Sequence, residues 1–200
     1  MMRWIYWAGW MTFGAAYRTL FGLRVVGREN LVTSGPMLIA CNHQSFLDPP
    51  LIGSLYQDEI YFLARKTLFV GLGKWLYKQW KAIPVDQDRP DMASLKTIIK
   101  LLVDGERVLV FPEGERSESD QIGKAQPGIG LIVSKARVSV QPMRISGARD
   151  ALPRGSSRVR FARITVVIGP PIDFSGEHFN KGKESYQLIA DKIMEEIAAL

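Results

Sequence analysis

The sequence predicts an α/β fold: a mostly parallel central sheet flanked by helices, preceded by an N-terminal amphipathic helix that associates with a membrane. Three observations carry this. Strand-like and helix-like segments alternate from residue 37 to 143, the order of a sheet with helices on its faces. The runs Met37–Cys41 and Val108–Val110 are continuously apolar, as strands buried on both faces are. Residues 4–17 carry no charge and are rich in tryptophan and tyrosine.

The first segment reads Trp4-Ile5-Tyr6-Trp7-Ala8-Gly9-Trp10-Met11 onward and lies between Arg3 and Arg18. A bilayer crossing needs about 20 apolar residues, and this run is shorter and interrupted by Gly9 and Gly14. Trp4, Trp7 and Met11 recur at helical spacing on one face. Aromatic side chains of this kind favour the headgroup level. The expectation is therefore an interfacial helix over residues 1–21 and a single catalytic-sized domain over 22–200. Packing on the protein's own core, and a full crossing with Arg18 snorkelling, are the alternatives.

The remaining elements follow in order. Ser34-Gly35-Pro36 turns the chain into a buried strand, Met37–Cys41. Asp48 followed by Pro49 and Pro50 starts a helix. Residues 60–64 form a second strand, 67–78 a short helix or helical loop, and 81–85 a third strand. Leu95, Ile98, Ile99 and Leu102 mark an amphipathic helix over 91–104 that stops at Gly105. A fourth strand, 107–111, precedes a long polar loop, and a helix over 128–135 follows. Residues 138–143 form the fifth strand and 147–157 a loop. The β-branched run 161–168 is the sixth strand, and 184–200 a closing helix.

Composition narrows function. The net charge is +6, with eight cations against Asp150 alone between residues 135 and 163. Such a balance concerns partners rather than fold. It admits anionic lipid, acidic small molecules or nucleic acid, but no nucleic-acid-binding signature accompanies it. One cysteine, Cys41, and two histidines, His43 and His178, exclude a disulfide framework and argue against a zinc site. Cys41, inside a strand, is expected in the core.

Two constellations carry chemistry. Asn42-His43-Gln44-Ser45-Phe46-Leu47-Asp48 follows a buried strand. A neutral imidazole, with an ordinary pKa of about 6.5, can take a proton near neutral pH. A carboxylate on its far nitrogen would fix its tautomer. A spacing of five misses one helix face, so His43 and Asp48 pair only if the chain turns between them. Spacing alone favours Asp48 as only a helix cap and His43 as only a loop residue. Phe111-Pro112-Glu113-Gly114-Glu115-Arg116-Ser117 also follows a buried strand and reaches the rim of His43 if the two strands run parallel. Gly114 allows a tight turn, and Arg116 offers a planar fork for phosphate or carboxylate. The alternative is a charged surface turn. A weaker pattern places Arg65, Lys66, Lys74, Lys78 and Lys81 among Trp75 and Trp80. It suits a membrane interface, nucleic acid or merely a solvated face.

In order and spacing these motifs resemble the glycerolipid acyltransferase family, the group containing 1-acylglycerol-3-phosphate acyltransferases. Asn42, His43, Ser45 and Asp48 match its Asn-His-x-Ser-x-x-Asp signature. Phe111, Pro112, Glu113, Gly114, Arg116 and Ser117 match Phe-Pro-Glu-Gly-x-Arg-Ser. Arg65-Lys66, Ile83-Pro84-Val85-Asp86 and Val140-x-Pro142-Met143 match weaker elements, so the likeness runs over roughly residues 22 to 170.

The resemblance implies an O-acyltransferase with His43 as base and Asp48 as its partner. It places Arg65, Lys66, Glu113, Gly114, Arg116 and Ser117 at the acceptor, with Arg116 on its phosphate. The acceptor would be a lysophospholipid, foremost 1-acylglycerol-3-phosphate, and the donor acyl-CoA or acyl-carrier protein. No metal, other cofactor or covalent acyl-enzyme is implied. Nearby backbone amides would stabilise the oxyanion. Membrane lipids are the expected partners, nucleic acid is not, and the expected location is the cytoplasmic face of the inner membrane. Glu115 stands where threonine is common, so its carboxylate must point away from a bound phosphate or pair with a base. Another lysolipid such as an amino-acid lipid is the alternative acceptor, and a non-enzymatic membrane-surface module the alternative function.

Overall fold

The computed structural model describes residues 4–86, 92–117, 119, 121–174 and 182–200. Seven strands form one sheet: β1 (Arg24–Val26), β2 (Met37–Cys41), β3 (Tyr61–Arg65), β4 (Ala82–Val85), β5 (Arg107–Val110), β6 (Val140–Ser146) and β7 (Thr165–Ile168). Their order is β1-β7-β6-β2-β5-β3-β4. Every neighbouring pair is parallel except β6–β7, so β7 and β1 run against the other five. The helices are α1 (Trp4–Leu20), α2 (Asp48–Gly53), α3 (Gly71–Gln79), α4 (Met92–Val103), α5 (Pro127–Ala136), α6 (Ala148–Ala151) and α7 (Lys183–Ala199).

The side-chain alternation of the central strands sorts the helices. Met37, Ile39, Cys41, Leu109, Met143 and Ile145 face a core shared with α1, α2 and α6. Leu38, Ala40, Val108, Val110 and Val140 face the opposite core, built with α4, α5 and α7. Covered on both sides, β2 and residues 108–110 of β5 have no polar face, which is why they read as continuous apolar runs. Cys41 lies fully buried within this layer, and burial pushes its thiol well above the ordinary range. Pro84, lacking an N–H, sits on edge strand β4 where it is tolerated.

The chain leaves β2 towards β3 on one side and leaves β5 towards β6 on the other. Right-handed crossovers in opposite directions put α2 and α5 on opposite faces. The carboxyl ends of β2 and β5 thus flank a topological switch point, where open α/β sheets hold their ligands.

The predicted α/β architecture, a mostly parallel sheet with helices on both faces, therefore stands, with local corrections. β1 and the reversed β1–β7 pair were not expected: three residues are too short a signal. The strand expected over 161–168 is confined to Thr165–Ile168, since its partner β1 begins pairing only at Arg24–Thr165. The loop expected at 147–157 contains α6, entered through Gly147 at φ 82°. The segment 67–78 resolves into a 3-10 turn, Lys66–Leu68, followed by α3. The start of the 91–104 helix at residue 91 lies outside the described residues. Arg18 follows the uncharged run, and no helix among the described residues is long and apolar enough to cross a membrane.

Gly130 lets α5 lie directly against the backbone of α7: a Cβ there would lie 1.9 Å from the Tyr186 carbonyl oxygen. Backbone cannot yield as a side chain can, so Gly130→Ala should behave as an overpacked core and cost about 1–3 kcal/mol. A shift in the urea midpoint at unchanged slope would register it.

Candidate active site

β2 and β5 pair in register from Met37–Arg107 to Ala40–Val110, so their carboxyl ends are level. The segments 42–48 and 111–117 emerge side by side, as the parallel arrangement requires. Four interactions then bind the two loops. His43 N–H donates to Glu113 Oε1 at 2.9 Å, and Ser117 N–H donates to the His43 carbonyl at 2.8 Å. The His43 ring stacks on Phe111, centroids 3.9 Å apart and planes 12° from parallel. The Arg116 guanidinium lies 3.8 Å over the Phe46 ring.

The turn expected between His43 and Asp48 is present. Asp48 is fully buried. Its Oδ2 accepts from Gln44 N–H at 2.6 Å and Ser45 N–H at 2.7 Å, and lies 2.8 Å from His43 Nδ1. One oxygen thus folds the chain back and orients the ring. With Nδ1 facing the carboxylate, Nε2 is the nitrogen left to take a proton. Ser45 is tied down in turn, its hydroxyl donating to the Leu152 carbonyl at 2.9 Å. Asn42 extends the strand end by side chain, donating to the Ile145 carbonyl at 2.9 Å and accepting from Ile145 N–H at 2.7 Å.

A family of proteins described as Acyltransferase matches residues 22–146, more than half of the chain. The chain belongs to the acyltransferase family. A 1-acyl-sn-glycerol-3-phosphate acyltransferase of Bacillus subtilis is 31% identical over 155 residues, covering 76% of this chain and 74% of that protein. The protein of that name from Pseudomonas aeruginosa is 30% identical, covering 88% and 68%. The chloroplastic LPAT1 of Arabidopsis thaliana is 30% identical, and the match spans 44% of that longer chain. In fold, this acyltransferase is similar to the 1-acyl-sn-glycerophosphate acyltransferase PlsC of Thermotoga maritima, with a TM-score of 0.80 at 24% identity, covering 98% of this chain and 80% of that one.

The six residues expected at the acceptor fall into three structural groups. Arg116 and Arg65 converge: burial first, then the charges of Arg154 and Arg65, hold the Arg116 guanidinium below its ordinary pKa. Arg116 Nη1 is buried and has no hydrogen-bond partner among the described residues. Glu113, Gly114 and Ser117 instead build the loop. Glu113 accepts from His43 N–H and, through Oε2, from Gly123 N–H at 3.0 Å. Burial raises its pKa. Gly114 turns the chain at φ 79°. The Ser117 hydroxyl donates to the Ser119 carbonyl at 2.6 Å. Lys66, third, extends towards Asp86 at 3.9 Å.

Several residues of the site carry no sequence signal of their own. Arg154 donates to the Arg116 carbonyl at 3.1 Å and approaches Glu115 at 3.4 Å, so the carboxylate that threatened a phosphate site is paired with a base. It was legible only as one cation in a basic run. Gly123 admits Glu113, since a Cβ there would lie 2.7 Å from Oε2. Tyr17 donates to the Leu47 carbonyl at 2.7 Å, and Tyr6 accepts from Ile60 N–H at 3.0 Å, stitching α1 to the 42–48 turn and to the residue that leads into β3.

Beside His43 opens an apolar cavity of about 300 Å³. Its walls are α1 (Tyr6, Trp10, Phe13), the 42–48 turn with α2 (Phe46, Pro50), β3 with Arg65 at its end, and α3 with Trp80. Among the described residues no cluster of His, Cys, Asp and Glu could hold a metal ion.

Proposed function

We propose that this acyltransferase moves a fatty acyl group from an acyl thioester, acyl-CoA or acyl-carrier protein, to the free hydroxyl of 1-acylglycerol-3-phosphate. The observation that carries the reading is a His43–Asp48 pair opening onto an apolar cavity, with two guanidiniums beside it. His43 Nε2 takes the hydroxyl proton as the oxygen attacks the thioester carbonyl. The buried Asp48 carboxylate stabilises the imidazolium. The tetrahedral intermediate collapses with cleavage of the C–S bond, and the imidazolium returns its proton to the departing thiolate. The cavity takes an acyl chain, and Arg116 and Arg65 take the phosphate. Glu113, Gly114 and Ser117 hold the loop that aims Arg116, and Lys66 adds positive charge at the rim.

Arg116, with Arg65 and Arg154 each near enough to act on its charge, favours an anionic ligand, and the relatives named above act on 1-acylglycerol-3-phosphate by name. Residues 1–21 form the interfacial element and 22–200 the acyltransferase domain. Trp4, Trp7 and Met11 of α1 are exposed, ready for the headgroup region of the cytoplasmic face of the inner membrane.

One labelled acyl thioester presented with a panel of lysolipids, read by product mass, tests the assignment: product from 1-acylglycerol-3-phosphate is expected to dominate. Arg116→Ala should lower kcat/KM for that acceptor by about 10–100-fold, the scale of a lost charged hydrogen bond, and leave monoacylglycerol nearly unaffected. Equal losses on both acceptors would remove the phosphate role.

A further inference from the structure

We infer that α3, with Val70 at its entry, is a bilayer-docking element that inserts Val70, Leu72 and Trp75 into an anionic lipid surface beside the mouth of the apolar cavity. Helices this short are marginal in water unless an apolar face is packed. Yet no residue of the nine in α3 is fully buried. Large apolar side chains point outward instead: Leu72 is 87% exposed and Trp75 51%, and Val70, which leads into the helix, is 70% exposed. Isolated exposed hydrophobes are ordinary, but three within six residues form a patch of the kind that meets a partner.

The charge around the patch identifies that partner. Residues 65–81 contain Arg65, Lys66, Lys74, Lys78 and Lys81 and no aspartate or glutamate. Lys81 is held by Glu59 at 2.9 Å and Lys66 reaches Asp86 at 3.9 Å, both at the margin of the helix. Lys74 and Lys78, one turn apart, are exposed on α3 itself. At 100° per residue Trp75 falls between this lysine pair and Leu72. The outer face thus runs from cation to indole to aliphatic, the sequence of groups met on entering an anionic leaflet. The inner face of the same helix presents Tyr77 to the cavity, and Trp80 follows it there. Gly73 seats the helix on the preceding turn, where a Cβ would lie 2.6 Å from the Leu68 carbonyl oxygen. The facing wall, α1, also bares tryptophan outward. An acyl chain can therefore pass from a leaflet into the cavity between α1 and α3 without crossing water. Only this entry route rests on the acyl-transfer reading.

The single cysteine, Cys41, is fully buried, so a cysteine placed at 72 can be labelled alone. Leu72→Cys carrying a nitrobenzoxadiazole fluorophore is titrated with phosphatidylcholine vesicles, with and without phosphatidylglycerol. We expect a blue shift, and quenching by brominated acyl chains, on the anionic vesicles. The same label at Leu188→Cys, exposed on α7, should stay water-like. Lys74→Gln/Lys78→Gln should weaken anionic-vesicle binding by roughly fivefold per lysine. It should leave acyl transfer to detergent-dispersed acceptor unchanged, a readout that judges the proposed reaction separately. A label at 72 that remains in water, whether or not the protein binds the vesicles, overturns the inference. So does a shift that follows protein concentration rather than lipid, which would assign the face to a second copy of the chain. An equal loss of activity in micelles and vesicles for the lysine variant would overturn it too.

Discussion

His43→Ala is expected to lower kcat by about 10³–10⁴-fold, towards the upper end of what a positioned general base supplies, while the fold survives. The loop contacts of His43 that matter to folding are made by its backbone: N–H to Glu113 and carbonyl to Ser117 N–H. Alanine keeps both. What disappears is the ring, its stack on Phe111 and its bond to Asp48. Asp48 retains two backbone donors, from Gln44 and Ser45. The structural cost should stay near 1 kcal/mol, the worth of one ring pair, and lower Tm by about 2–4 °C. Purified variant assayed with saturating thioester and 1-acylglycerol-3-phosphate decides the matter. Turnover within tenfold of the parent, at unchanged circular dichroism, would end the assignment of His43 as base.

The site's two loops were legible because each is a compact run of special residues after a strand that is apolar throughout. The sheet's interior was legible for the same reason: Met37–Cys41 and Val108–Val110 have no polar face to obscure them. What could not be read depends on distances between residues far apart in the chain. Arg154 joins Glu115 and Arg116 across about forty positions of sequence, and one arginine in a run of several looks like any other. Glu113 illustrates the opposite limit. A carboxylate in a signature motif suggests substrate contact, but both its oxygens accept backbone N–H groups, one from His43 and one from Gly123. Only the fold brings residue 123 back to it. β1 and the reversed end of the sheet escaped for a thermodynamic reason: a three-residue strand is held by its neighbour β7 rather than by its own propensity.

Asp48→Asn separates the carboxylate's electrostatic task from its architectural one, and both should suffer. With the amide oxygen in the place of Oδ2, the donors of Gln44, Ser45 and the ring can still be met. The amide nitrogen then occupies the place of Oδ1, which is buried and without a hydrogen-bond partner among the described residues. An orphaned buried donor costs about 1–3 kcal/mol. The reversed orientation is worse, since it points an N–H₂ at two backbone N–H groups. Either way the negative charge is gone, and the imidazolium formed as the acceptor hydroxyl loses its proton has no counter-ion. The neutral substitution in a serine-protease triad lowers kcat by about 10⁴, and a drop of about 10³–10⁴ is expected here. The diagnostic comparison is with Asp48→Ala, which also breaks the turn by leaving the N–H groups of Gln44 and Ser45 unpaired. If Asp48 serves catalysis as well as folding, the asparagine variant is nearly as inactive as the alanine variant but melts well above it. If activity instead tracks Tm across the two variants, the carboxylate only folds the loop, and His43 works without an anionic partner.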